Sequence, residues 1–60
     1  MNLTFETELE DEGRWLAEVP ELAGVMAYGT TEMEAMAKAE SLAFRVLAEQ
    51  LKHDEFPLQI

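Results

Sequence analysis

At Gly29 this chain changes its periodicity, and the change limits what it can fold into. Before that point, apolar and polar side chains alternate in short runs separated by turn formers. After it, Glu32 to about Lys52 is built from Ala, Leu, Met, Glu and Lys with no Gly or Pro, a composition that favours one unbroken helix. The first run covers residues 2–9. Leu3, Phe5, Thr7 and Leu9 fall on one side and Asn2, Thr4, Glu6 and Glu8 on the other, the period-two pattern of a half-buried strand. Glu10-Asp11-Glu12-Gly13 interrupts it with turn formers, and Gly13 is free to take the positive φ that closes a hairpin. Alternation resumes from Arg14 to Val19, with Trp15, Ala17 and Val19 on one face and Arg14, Leu16 and Glu18 on the other. Pro20 has no N–H to give a ladder and ends this second strand. A connection of five residues, Pro20–Gly24, then leads to a third strand, Val25-Met26-Ala27-Tyr28, closed by Gly29.

The helix has a start signal. Thr31 followed by Glu34 is a capping box, in which each side chain satisfies a backbone N–H near the other. At 1.5 Å per residue the helix is about 30 Å long, enough to cross a small sheet and overhang it. Ala35, Met36, Ala39, Leu42, Ala43 and Val46 form its apolar stripe. Met33, Phe44, Leu47 and Leu51 widen that stripe, and Ala37 and Ala48 widen it further. A stripe a little over 100° wide covers a sheet, and this one is about twice that. Phe44, about 180° around the helix from Ala35 at 100° per residue, is the clearest surplus. The polar remainder (Glu34, Lys38, Ser41, Arg45, Glu49 and Lys52) contains the i,i+4 pairs Glu34–Lys38 and Arg45–Glu49. Beyond His53-Asp54-Glu55, the segment Phe56-Pro57-Leu58-Gln59-Ile60 alternates again and is expected to form a fourth strand, joined by a right-handed crossover. The predicted order is β-β-β-α-β in a single α+β domain, 1–60, with the helix packed on one face of a three-stranded antiparallel sheet.

Composition narrows the function. A chain of 60 residues without cysteine has neither disulfides nor thiolate metal sites to hold a small core together, so oligomerisation is the expected staple. With 13 acidic residues against four basic ones, the formal charge is −9. Arg14, Lys38, Arg45 and Lys52 are too few and too scattered to neutralise a phosphate backbone, so direct nucleic-acid binding is not expected. No stretch reaches the roughly 18 apolar residues of a membrane span. The acidic, alternating first ten residues are not a signal peptide, so a cytoplasmic location is expected.

The order and spacing of several short motifs carry a family resemblance. Trp15-Leu16-Ala17-Glu18-Val19-Pro20-Glu21-Leu22-Ala23-Gly24-Val25, then Gly29-Thr30-Thr31-Glu32 and Glu34-Ala35 opening the helix, resembles the HicB-like antitoxins across roughly residues 3–50. Ala23 stands where that family usually has a second proline, and Thr30 where it usually has an acidic residue. The resemblance implies a partial copy of the RNase H fold. It also implies neutralisation of a small basic mRNA-cleaving toxin of HicA type, which works through a histidine. Many members add a C-terminal DNA-binding domain, and a chain ending at Ile60 is expected to lack it. The contrasting expectation is an orphan homo-oligomeric module of the same fold, structural or ligand-binding, with no toxin.

The candidate site residues divide by chemistry. Glu6, Glu8, Glu10, Asp11, Glu12 and Glu21 are the candidate toxin-binding positions, steering a basic partner by complementary potential. Two-metal catalysis needs carboxylates converging on one dry site, whereas these read as a solvated edge. His53 has no Ser or Cys nucleophile nearby and reads as a helix-end residue. Neither enzymatic activity nor a metal or other cofactor is therefore expected. Trp15, in phase with Ala17 and Val19, reads as core, whereas Tyr28 could serve core or partner equally. Met33, Phe44, Leu47 and Leu51 would leave an unusually large apolar patch in water and are the candidate self-association surface.

Overall fold

A computed structural model describes residues 2–52, so the expectations for His53 and for a strand at Phe56–Ile60 lie outside the described residues. The element order is β1 (Glu6–Leu9), a short 3-10 turn (Asp11–Gly13), β2 (Trp15–Glu18), β3 (Met26–Gly29) and α1 (Glu32–Lys52). The strands form one antiparallel sheet in the order β1-β2-β3. Leu9 pairs with Trp15 and Trp15 with Gly29, while Glu6 pairs with Glu18 and Glu18 with Met26. The fold is α+β, with one helix against one face of the sheet.

Alternation decides which face that is. Ala17, Val19 and Val25, with Leu22 from the connecting loop, meet Ala35, Ala39 and Ala43 of α1 in the core. These three alanines recur at i, i+4 and i+8 and are fully buried, so the helix lies close on the sheet. Leu3, Phe5, Trp15, Ala27, Met36, Leu42, Val46 and Leu47 pack half-buried around them. The core is small: the largest fully buried side chain is Val19.

Three details depart from the sequence reading. β1 begins at Glu6, not Asn2, although Leu3 and Phe5 still pack on the core ahead of the ladder. Leu9 was expected to face inward but is 57% exposed. It ends an edge strand, and α1 lies over β2 and β3 far more than over β1. Leu22, which alternation does not reach, is buried. Its N–H donates to the Val19 carbonyl and its own carbonyl accepts from the Val25 N–H, folding the loop back under the sheet.

The helix start is nearly the expected box. The Thr31 hydroxyl oxygen accepts from the Glu34 N–H at 3.0 Å, and the Thr31 carbonyl accepts from the Ala35 N–H. The Glu34 carboxylate, however, reaches one residue further back, accepting from the Thr30 N–H at 2.6 Å and the Thr30 hydroxyl at 3.0 Å. Gly29 makes that reach possible. A Cβ on Gly29 would lie 2.6 Å from the Ala35 nitrogen and 3.0 Å from Glu34 Oε1, so only glycine lets strand end and helix start approach this closely.

Candidate functional site

The sheet register sorts the six candidate carboxylates into three places. Glu10, Asp11 and Glu12 form the tip of the β1–β2 hairpin, closed by a 2.6 Å bond from the Glu10 N–H to the Arg14 carbonyl. Glu12 and Gly13 both take positive φ, 68° and 76°, so the turn holds a non-glycine residue in the left-handed region as well as the expected glycine. Because Leu9, Trp15 and Gly29 are in register, the tip lies at the same end of the sheet as the start of α1. Carboxylates twenty residues apart in sequence, Glu12 and Glu32, thus share one end of the molecule. Acidic groups there are favoured by the unpaired N–H groups of a helix N-terminus.

Glu6 and Glu8 belong instead to the face of the sheet turned away from α1. There Glu6 stands opposite Glu18, Glu8 opposite Leu16, and Leu16 opposite Tyr28. The Glu6–Glu18 pairing sets like charges directly across the ladder, which destabilises the isolated pair. Tyr28 is exposed on this face, and the Arg14 guanidinium sits 4.5 Å from its ring centroid, a cation–π contact that fixes both side chains. Glu21 lies beyond the opposite end of the four-residue strands from the tip. Its carboxylate accepts from the Thr4 N–H at 3.0 Å.

Hydrogen bonding distinguishes these carboxylates further. The Thr4 N–H and hydroxyl hold Glu21 below the usual glutamate range. The Thr30 N–H and hydroxyl, helped by the charge of Lys38, do the same for Glu34. Glu32 accepts from the Thr7 hydroxyl at 2.6 Å, tying β1 to the first turn of α1. Glu21, Glu32 and Glu34 are therefore engaged in holding the fold. Asp11 and Glu12 stand exposed at the tip. Among the described residues no three His, Cys, Asp or Glu side chains are grouped as a metal site, and no helix is long and apolar enough to cross a membrane.

A second surface runs along the outside of α1. Met33 is 81% exposed, Phe44 64% and Leu51 46%, while Leu47 is half-buried against the core. At its N-terminal end lies an open groove of about 320 Å³ lined by Glu32, Met33, Met36, Ala37 and Glu40. The sequence reading has Ala37 in the widened apolar stripe but not among the candidate self-association residues, and it omits Glu40, although both follow Met33 at helical spacing. Trp15 is half-buried against the core, in phase with Ala17 and Val19 as expected. Comparison of the chain with protein-family models, with curated proteins and with solved structures finds no match in any of the three.

Proposed function

We propose that this chain is a non-catalytic, cytoplasmic binding domain of the antitoxin type, which neutralises a small basic ribonuclease of the HicA kind by covering its active or RNA-binding surface. In this reading the fold is a partial RNase H-like unit, and Phe56–Ile60 adds the fourth strand. The observation that carries the proposal is the acidic end of the sheet: Glu10, Asp11 and Glu12 project at a tight hairpin tip beside the acidic start of α1. A basic RNA-binding protein offers the complementary potential, and the chain's own charge of −9 opposes binding to RNA itself. Glu6 and Glu8 extend the acidic surface along the open sheet face, whereas Glu21 plays a lesser part because it is tied to Thr4 at the far end.

The second reading is an orphan homo-oligomeric module, and the self-association to which exposed Met33 and Phe44 point is common to both. Co-expression with a small basic ribonuclease bearing one prominent histidine discriminates them: the antitoxin reading expects co-purification and rescue of growth. The triple change Glu10→Lys, Asp11→Lys and Glu12→Lys is expected to slow association about tenfold or more at low salt and to flatten its salt dependence. Glu21→Lys is expected to have a much smaller effect. Equal effects from both would overturn the assignment of the tip, and an unchanged on-rate would overturn steering altogether.

A further inference from the structure

The exposed apolar residues of α1 are not scattered. Met33, Ala37, Phe44 and Leu51 are exposed, and together with half-buried Leu47 and the charged Glu40 they are spaced four, three, four, three and four residues apart, the a/d repeat of a helix that pairs with another helix. At 100° per residue they lie within about 80° of arc, and the buried alanines Ala35, Ala39 and Ala43 are centred about 120° away. The three cations of α1, Lys38, Arg45 and Lys52, recur every seven residues on the remaining side. The helix thus has three faces: alanine toward the sheet, a charged ridge, and a heptad seam that the sheet covers only at Leu47.

We infer that this seam pairs with the same seam of a second copy, the two α1 helices running antiparallel, so that Met33 meets the partner's Leu51, Ala37 meets the partner's Leu47 and Glu40 meets the partner's Phe44. Only this register sets each d position against an a position over the whole seam, since each pair of residue numbers has the same sum. Ala37 leaves the groove between Met33 and Glu40 open, and a leucine from the partner fills it. Charge selects the direction. In a parallel pair Glu40 would face Glu40 in a partly desolvated seam, and the two acidic hairpin tips would lie side by side; like charges so placed oppose association. Running antiparallel sets Glu40 beside a ring and carries the two acidic ends, each part of a chain of charge −9, to opposite ends of the pair.

The inference rests on the self-association common to both functional readings, and its test separates failure of the register from failure of association. Because the chain has no cysteine, Met33→Cys and Leu51→Cys can be made separately and treated with a short bis-maleimide after mixing and subunit exchange. Antiparallel pairing gives cross-linked dimer in the mixture and none in either variant alone, where equivalent positions are about 27 Å apart (18 residues at 1.5 Å each). Cross-linking of each variant with itself would overturn the direction. Dimers in sedimentation with no cross-link in any sample would overturn the seam. A wild-type chain that sediments as a monomer at micromolar concentration would overturn self-association with it. Phe44→Asp, at an exposed position, is expected to weaken the dimer about 30-fold or more while retaining the helical circular-dichroism signal. An unchanged dissociation constant would remove Phe44 from the seam.

Discussion

The two sides of α1 use apolar residues in opposite ways. Against the sheet stand Ala35, Ala39 and Ala43, the smallest apolar side chains available, fully buried. Facing water stand Met33, Phe44 and Leu51, each able to contribute roughly 1.5–3 kcal/mol if buried. A chain stabilised only by its own fold would put the large residues inside. The inversion separates two jobs: the alanines set how closely helix and sheet approach, and the large residues hold in reserve a hydrophobic contribution that the isolated chain leaves unrealised.

The same substitution made on each side of α1 should have unequal consequences. Ala39→Leu inserts three carbons where the structure has no space, and overpacking of this kind destabilises by about 1–3 kcal/mol. Ala37→Leu, two residues earlier, points into the open groove and is expected to change the stability of the isolated chain by about 0.5 kcal/mol or less. Urea denaturation at low protein concentration measures both. Equal losses would mean that the two sides of α1 do not differ as described.

Much of this was legible in the chain because period is a local property. The alternation of Trp15, Ala17 and Val19 and the spacing of Ala35, Ala39 and Ala43 specify strand, helix and inward faces without knowledge of the rest. What was not legible depends on contacts between elements. Leu9 carries the same pattern as Phe5, but α1 gives β1 little cover, so one is exposed and the other packed. Leu22 sits in a loop whose burial depends on the bonds to Val19 and Val25. The reach of Glu34 to Thr30 requires the absence of a Cβ at Gly29, a tertiary fact. Alternation already put Glu6 and Glu8 on the outward face and Glu10, Asp11 and Glu12 in the hairpin turn. What the register adds is that the tip shares an end with the start of α1 while Glu21 lies at the other, and only pairing partners could have revealed that.

A change that loosens α1 as a whole should weaken both of its sides together. Thr31→Ala removes the acceptor for the Glu34 N–H and is expected to destabilise by about 1 kcal/mol. The partner interaction carries a pH signature. The Thr30 donors hold the Glu34 carboxyl below its ordinary 4.5 in the folded chain. Since the folded value is the lower one, ionised Glu34 contributes its stabilisation above about pH 4.5, and that contribution is lost as pH falls through the lowered value. Glu34→Gln should therefore lower the thermal midpoint at pH 7 and flatten its decline as the pH falls below about 4.5. An acid limb as steep as that of the wild type would show that another carboxylate governs it.

A gain in stability is expected at a residue on neither side of the helix, which makes it the control for the others. Glu12 holds φ at 68°, where an L side chain is strained by roughly 1–2 kcal/mol. Glycine takes that conformation freely but gives up about 0.5–1 kcal/mol in backbone entropy. Glu12→Gly should therefore stabilise the fold by about 0.5–1 kcal/mol, aided by the loss of one carboxylate beside Asp11. Because the antiparallel arrangement carries the two hairpin tips to opposite ends of the pair, this gain should be the same at low and high protein concentration. The effect of Phe44→Asp should instead grow with concentration, as subunit binding stabilises by mass action. If the gain from Glu12→Gly also varied with concentration, the tip would be part of the contact between copies, and the antiparallel arrangement that keeps the acidic ends apart would be wrong.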